Sequence, residues 1–394
     1  MSHSPQHHSP QHIVFTGGGT AGHLMPGLAV VEELRRRDPR VRITFAGDGK
    51  PLHRQLVAAA GAEYLDLPCR RLPRRLREAV TFARGEISGY RAARKFLRQQ
   101  PADTVVGLGG FASVPMALAA VHQGVPLVLL EQNVVPGKAT RWLVRFAKAV
   151  CVSFPETSRH LPRGCASHMT GNPVRRAFHA AALFPPMPSV GLSPRAMRGT
   201  GCKLLVLGGS GGAESLNRAV PEALGVLLRA SMDLSEWQIV HQAGDREVDA
   251  TARRYALAGV SARVVAWIGE MPAAMHCSDL AISRAGGTTL AELAAARLPA
   301  ILVPYPRAAD DHQRANAAAM AAQPGFIVVD EEPVPPMPSV GLSPRMAMCS
   351  FPERLAAGLR RLVSHPSTPT EPIDPPSAAA SVASLLAGLP VAAE

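Results

Sequence analysis

The chain has 394 residues, with 42 Lys and Arg against 30 Asp and Glu, a formal charge of +12, and 47% hydrophobic but only 5% aromatic residues. That length exceeds one ordinary core and predicts two domains packed on Ala, Val and Leu; the basic surplus predicts an anionic partner, whether nucleic acid, lipid headgroups or a phosphorylated substrate. Cys69, Cys151, Cys165, Cys202, Cys277 and Cys349 form no C-x-x-C pair, which argues against a zinc ribbon or disulfide framework and suits a reducing compartment. No apolar run reaches the roughly 18 residues that span a bilayer, and the polar N-terminus lacks a secretory signal, so the expectation is a cytoplasmic protein that can rest on a membrane surface.

In chain order, HSPQH occurs twice in tandem at 3–12 and reads as a flexible tail, 1–11. HIVFT (12–16) leads through a Gly-rich turn into the helical pattern PGLAVVEELRRR (26–37), and VRITFAG (41–47), TVVGLGG (104–110) and PLVLLEQ (126–132) are further strands. The segment PPMPSVGLSPR stands at 185–195 and again, unchanged, at 335–345; both copies read as semi-rigid insertions at tolerant surface points. Between them the theme restarts with KLLVLGG (203–209), WQIVHQAG (237–244), ARVVAWIG (262–269), DLAISRAGG (279–287) and PAILVPY (299–305). Continuous apolar strands separated by helices predict parallel sheets covered on both faces. The fold class is therefore α/β, with two Rossmann-like doubly wound domains facing a cleft. The divisions are a domain over 12–180, a Pro-rich linker 181–202, a domain over 203–334, a Pro-rich insertion 335–350 and a helical segment 351–394.

Glycine-rich loops follow several of these strands. Gly17, Gly19 and Gly22 satisfy G-x-G-x-x-G, so a dinucleotide site with Asp48 as its ribose acid stands beside a purely steric strand-to-helix turn. His23, directly after the last glycine, is not required by a cofactor loop. Further loops occur at Gly107–Phe111, Gly208–Ala213 and Ser283–Thr289, the last followed by Glu292. Backbone amides at a helix start and Thr289 could hold a phosphate, and Glu292, one turn on, could take ribose hydroxyls. Four such loops point to two substrates.

The blocks GGGTAGHLMPGLA (17–29), GLGGFASVP (107–115), EQNVVPGKAT (131–140), TGNPVR (170–175), LGGSGGAESLN (207–217), SRAGGTTLAE (283–292) and PYPRAADDHQRANA (304–317) together resemble the lipid II-forming N-acetylglucosaminyltransferases, the MurG family, in order from about residue 12 to 330. The resemblance implies the glycosyltransferase-B fold, an acceptor-binding first domain, a UDP-sugar-binding second domain, and a final helix returning to the first. It implies inverting, metal-independent transfer of N-acetylglucosamine from UDP-N-acetylglucosamine to undecaprenyl-pyrophosphoryl-N-acetylmuramoyl-pentapeptide (lipid I), with no cofactor, in peptidoglycan synthesis at the cytoplasmic face of the cell membrane. Carried over by position, Ser210 and Thr289 contact the pyrophosphate, Gly287 and Thr288 offer backbone groups, and Glu292 takes the ribose. Ile268 lines the uracil pocket, Arg175 lies near the nucleotide, and Asn133 and Gln313 reach the sugar. The family's Thr-Gly-Gly becomes Thr20-Ala21-Gly22 here, so Ala21 adds a methyl where backbone meets substrate.

An acceptor hydroxyl attacking the anomeric carbon must lose a proton, and an imidazole titrating near ~6.5 suits that task. His23 is the expected base, with Glu131 in reserve; the alternatives are that His23 only positions phosphate and Glu131 only holds loops. His312 reads as a positioning residue. Residues 70–98 carry nine arginines and Lys95 against Glu78 and Glu86, interleaved with apolar side chains. This stretch predicts contact with an anionic membrane surface, against the simpler alternative of an amphipathic helix with a solvated arginine face. No stacking platform or recognition-helix motif supports a nucleic-acid partner. Rival readings are a nicotinamide-dependent oxidoreductase, a glycosyltransferase with another lipid acceptor such as diacylglycerol, and a non-enzymatic scaffold.

Overall fold

The computed structural model describes residues 11–19, 21–69, 79–179, 201–209, 211–332, 349–365 and 378–389. Expectations on the tail, Thr20, the Ala21 side chain, the basic residues 70–78, Ser210 and both PPMPSVGLSPR copies fall outside what is described. The chain divides into two compact units, Met1–Arg175 with Asp374–Glu394, and Arg176–Ile373.

The first unit holds β1 (His12–Thr16), β2 (Arg42–Gly47), β3 (Glu63–Asp66), β4 (Thr104–Gly107), β5 (Leu127–Glu131), β6 (Ala149–Val152) and β7 (Ser167–Met169). All pair in parallel, in the order β3-β2-β1-β4-β5-β6-β7. The central strands are buried end to end because both faces are covered. Side chains alternate between two cores: Ile13, Phe15, Val106, Val128 and Leu130 enter one, and Val14, Val105, Leu127 and Leu129 the other. Helix α1 (Ala21–Arg37) covers the first face; α3 (Ala79–Gln99) and α4 (Val114–His122) cover the second. In α3, Gly89, Ala93 and Leu97 recur at helical spacing and form the buried stripe. α2 (Pro51–Ala59) and the short α5 (Lys138–Leu143) complete this part of the chain.

The second unit holds β8 (Lys203–Leu207), β9 (Gln238–Gln242), β10 (Arg263–Val265), β11 (Leu280–Ser283), β12 (Ala300–Leu302) and β13 (Phe326–Val328). These are again all parallel, in the order β10-β9-β8-β11-β12-β13. Its helices are α6 (Glu214–Arg229), α7 (Val248–Leu257), α8 (Met271–Cys277), α9 (Gly287–Ala295), α10 (His312–Ala321) and α11 (Phe351–Ser364). The segment expected as one helical return, 351–394, contains two described helices with different partners. Leu355, Leu359 and Leu362 of α11 join the α6 core of the second unit. Val382, Ala383 and Leu386 of α12 (Ala378–Ala387) are buried against α1 in the first, where Arg37 donates to Ser384 Oγ at 2.9 Å and to the Ala380 carbonyl at 2.9 Å.

In each sheet the strand order reverses beside the first strand, between β1 and β4 and between β8 and β11. Loops leaving adjacent strands there diverge to opposite faces and open a crevice at the carboxyl ends. All four Gly-rich loops leave these strands. α12 tests how far the first core depends on the end of the chain. Leu386→Ala should cost about 2–5 kcal/mol by leaving a cavity under α1, read as a lower melting temperature; an unchanged melt would show that α12 adds nothing to this core.

Candidate functional site

In the first unit, the loops after β1 and β4 lock together through missing side chains. A Cβ on Gly110 would lie 2.5 Å from the Gly18 carbonyl oxygen, and one on Gly17 would lie 2.8 Å from Leu108 Cβ. Gly19, Gly109 and Gly110 have φ of +94°, +88° and +75°, a region costly for any other residue. The His23 ring, on the first turn of α1, lies against this second loop: a Cβ on Gly109 would be 3.4 Å from His23 Cδ2 and 3.8 Å from Nε2. The imidazole is half-buried at the carboxyl end of the sheet.

Asp48, the acid of the dinucleotide alternative, is committed elsewhere. Its carboxylate accepts the Gly19 amide at 3.2 Å, meets His53 Nδ1 at 3.0 Å, and pairs with Lys50 Nζ at 3.3 Å. Lys50 in turn donates to the Gly19 carbonyl. Burial holds the His53 imidazole below its usual pKa, against the opposing pull of Asp48. These groups brace the first loop from behind.

Glu131, at the end of β5, is buried and both carboxylate oxygens are engaged. Oε1 accepts the Asn133 amide at 3.1 Å and Asn133 Nδ2 at 3.0 Å; Oε2 accepts the Gly137 amide at 3.0 Å. Of the two expected bases, Glu131 therefore has the geometry of its loop-holding alternative. Asn133 is the held residue, its carbonyl accepting from Thr157 Oγ1 at 3.0 Å. Gln132 donates to the Leu130 and Leu108 carbonyls and so joins this segment to the β4 loop. Arg175 closes the unit; its Nε, and both polar side-chain atoms of buried Asn172, have no hydrogen-bond partner.

In the second unit, α9 begins at Gly287 with no side-chain cap on Gly286. Helix geometry leaves the first-turn amides of Gly287, Thr288 and Thr289 no carbonyl within the helix, the arrangement that suits an oxyanion. Buried Glu292 lies one turn further on. The Gly208–Ala213 loop packs against the end of β9: Gly212, at φ +74°, approaches so closely that a Cβ would sit 2.1 Å from the Ala243 carbonyl oxygen. Buried Gln242 donates from Nε2 to the Gly209 carbonyl at 2.9 Å and accepts the Ile268 amide at 3.0 Å. Behind it, His241 contacts Tyr255 OH at 2.9 Å and Asn217 Oδ1 at 3.0 Å, while Asn217 Nδ2 donates to the Ala243 carbonyl at 3.0 Å.

Arg284, quoted in the SRAGG block but given no role, also proves to be a brace. Its guanidinium pairs with Glu331, donates to Ser215 Oγ at 2.7 Å and to the Val303 and Pro304 carbonyls, and lies over the Tyr305 ring. Gln313 Oε1 accepts the Tyr305 amide at 2.9 Å, and His312 Nδ1 contacts the Ala309 carbonyl at 2.7 Å. Asp310 and Asp311, just before α10, hold φ of +52° and +51°, strained backbone of the kind that collects at functional loops. Sequence reasoning passed over Gln132, Gln242 and Asn217; the available signal was a polar residue at the carboxyl end of an apolar strand, or facing inward on a helix. It also passed over exposed Trp142 and Phe146, flanked by Arg141 and Arg145.

Burial pushes the His241 imidazole down to about 3 from an unfolded value near 6.5. The folded state therefore binds fewer protons, and the stability this group confers is complete above pH ~6.5 and is lost as pH falls toward ~3. Between pH 7.5 and 5, thermal denaturation should show a loss of order 2 kcal/mol from this group. His241→Gln, which takes up no proton, should flatten that dependence; an equal acid loss in the variant would assign it elsewhere.

Two family models match the chain: the glycosyltransferase family 28 N-terminal domain over residues 13–152 and its C-terminal domain over 203–337. A UDP-N-acetylglucosamine--N-acetylmuramyl-(pentapeptide) pyrophosphoryl-undecaprenol N-acetylglucosamine transferase of Pelobacter propionicus is 36% identical over 335 residues, 81% of this chain and 87% of that protein. The protein of the same description from Nitratidesulfovibrio vulgaris is 38% identical over 326 residues, 82% of this chain and 84% of its own length. Among solved structures, that of Acinetobacter baumannii MurG superposes with a TM-score of 0.65 at 26% identity, covering 96% of this chain and 100% of that one. With two parallel-sheet units, Gly-rich loops at both switch points and relatives of this similarity, the chain belongs to the MurG family of glycosyltransferase family 28 and is a UDP-sugar glycosyltransferase of peptidoglycan synthesis.

Proposed function

We propose that this enzyme transfers N-acetylglucosamine from UDP-N-acetylglucosamine to the 4-hydroxyl of the N-acetylmuramoyl group of lipid I, with inversion and without a metal. The observation that carries the reading is the pairing of switch-point loops with His23 in the first unit and with the uncapped start of α9 and Glu292 in the second. Donor binding is assigned to the second unit. First-turn amides of α9 and Thr289 take the diphosphate with Ser210, Glu292 takes the ribose, and Ile268 takes the base. Gln313 completes the donor contacts within this unit. The Gly17–Gly22 loop, including Thr20 and Ala21, takes the acceptor.

In the reaction the acceptor oxygen attacks the anomeric carbon as the carbon–oxygen bond to the diphosphate breaks. His23 takes the hydroxyl proton, and UDP leaves with the bonding electron pair. Fixed amides stabilise that developing negative charge without reorganising. Attack opposite the departing group inverts the anomeric centre and gives the β1,4 linkage.

Membrane contact is assigned to the first unit. On α3, Val80 is 63% and Ile87 51% exposed beside exposed Arg84 and Arg91, and α5 with the turn after it adds Trp142, Phe146, Arg141 and Arg145. Apolar side chains among cations suit an anionic interface. No described helix is long and apolar enough to cross a membrane, so the attachment proposed is peripheral, at the cytoplasmic face.

Two measurements test the proposal. Purified protein with lipid I in vesicles and UDP-N-acetylglucosamine should form lipid II at a rate that chelator leaves unchanged and anionic lipid raises. Transfer to diacylglycerol instead, or loss of activity with chelator, would overturn it. His23→Ala should lower kcat by about 10²–10⁴, the usual worth of a general base. Glu131→Gln should lower activity while keeping the shape of the pH–rate profile; loss of a limb of that profile in Glu131→Gln alone would make Glu131 the base.

A further inference from the structure

Gln242 has the strongest unexplained geometry in the second unit. It is the last residue of β9, the strand beside β8 on the flank of the switch point, and is 2% exposed. A carboxamide so placed has one donor face and one acceptor face, and here each is used on a different loop. Nε2 donates to the carbonyl of Gly209 in the β8 loop, and Oε1 accepts from the amide of Ile268 in the segment after β10. A buried polar side chain bonded at each end to a different loop sets the distance between them, because either loop can move only by stranding a buried hydrogen-bonding group.

The end of β9 is itself held from the other side. His241 points the opposite way along the strand and is anchored by Tyr255 of α7 and Asn217 of α6, and Asn217 also takes the next carbonyl, that of Ala243. Gly212 and Gly244 then meet so closely that a Cβ on Gly244 would be 2.9 Å from the Gly212 nitrogen. The β8 loop thus rests on a platform formed by the end of β9.

Resting on the donor assignment above, we infer that Gln242 is a positioning residue that fixes the separation between the diphosphate-binding β8 loop and the uracil-binding segment at Ile268. Gln242 makes no contact with the nucleotide in this scheme. It acts by holding both ends of the donor site at the spacing of a uridine diphosphate before the ligand arrives, so that binding incurs little ordering cost.

The test uses the full chain, with Gln242→Met, which keeps the volume and removes both hydrogen bonds, and Gln242→Glu, which keeps the acceptor for Ile268 but removes the donor to Gly209. Calorimetric titration with UDP should show binding to the unaltered protein and a loss of about tenfold or more in either variant, the worth of one stranded buried group. Uridine, which lacks the diphosphate, should lose less than about threefold with Gln242→Glu, since the base end is still held. In the transfer assay KM for UDP-N-acetylglucosamine should rise in parallel while KM for the lipid acceptor stays unchanged, a split that general destabilisation does not produce. A folded variant with unchanged UDP affinity would overturn the inference; failure of the unaltered protein to bind UDP would overturn the donor assignment instead. Should both variants unfold, hydrogen exchange in the unaltered, nucleotide-free protein decides: a protected Ile268 amide supports the clamp, and exchange at open-loop rates overturns it.

Discussion

The close approach of backbone to backbone between the loop after the first strand of each sheet and a neighbouring strand end is the constraint on which each unit depends. A parallel sheet that begins in its middle sends successive loops to opposite faces, and the amides left between them find no partner in the ladder. Those amides become useful to a diphosphate only if neighbouring loops can come within a few ångströms of one another. In the first unit Gly110 passes the Gly18 carbonyl, and in the second Gly212 passes that of Ala243, at distances no side chain tolerates. The glycines therefore do more than loosen turns. They interlock loops from different strands, so donors are fixed in place before any substrate binds, the condition under which electrostatic stabilisation is strongest.

Interlocked loops still need polar braces, and both units supply them from side chains at strand ends and loop starts. In the first, Asp48 gathers the Gly19 amide, Glu131 gathers the amides of Asn133 and Gly137, and Gln132 donates to the Leu108 and Leu130 carbonyls. In the second, Arg284 reaches the carbonyls of Val303 and Pro304, and Gln242 donates to that of Gly209 while accepting the Ile268 amide. The satisfied state of these braces contrasts with Asn172 and the Arg175 Nε, buried without partners at the end of the first unit. Such groups are costly to keep in a folded protein.

The architecture was largely legible because burial on both faces writes itself into strands as unbroken apolar runs. HIVFT coincides with β1 and KLLVLGG starts where β8 starts, while the other apolar runs overlap their strands and extend up to four residues past them into the loops. What escaped was the outer part of each sheet: β3 reads EYLD and β7 reads SHM, exposed and too short or polar to show a pattern. β13 is three residues long. The Gly-rich loops and the position of His23 could be read because glycine and histidine mark local needs. Gln132, Gln242, Asn217 and Arg284 could not be assigned, since each acts by joining segments distant in the chain, and a hydrogen bond across 24 or 33 residues leaves no local trace. For Glu131 the residue was visible, but the amides of Asn133 and Gly137 that engage its carboxylate come together only in the folded loop.

The distribution of charge follows from the demands of two anionic substrates. A strongly cationic donor loop would hold UDP after transfer as firmly as before it, whereas amide dipoles bind a diphosphate while adding no net charge. The cation nearest the α9 loop in sequence, Arg284, is paired with Glu331 and stacked on Tyr305. Exposed arginines stand instead on surfaces such as α3, and the proposed attraction of anionic lipid there acts through solvent and falls off within roughly a Debye length. On the proposed reading, affinity for the membrane and affinity for the nucleotide are thereby set by separate groups. Exposed arginines concentrate the lipid-linked acceptor, and nearly neutral backbone donors stabilise the departing diphosphate and still release it.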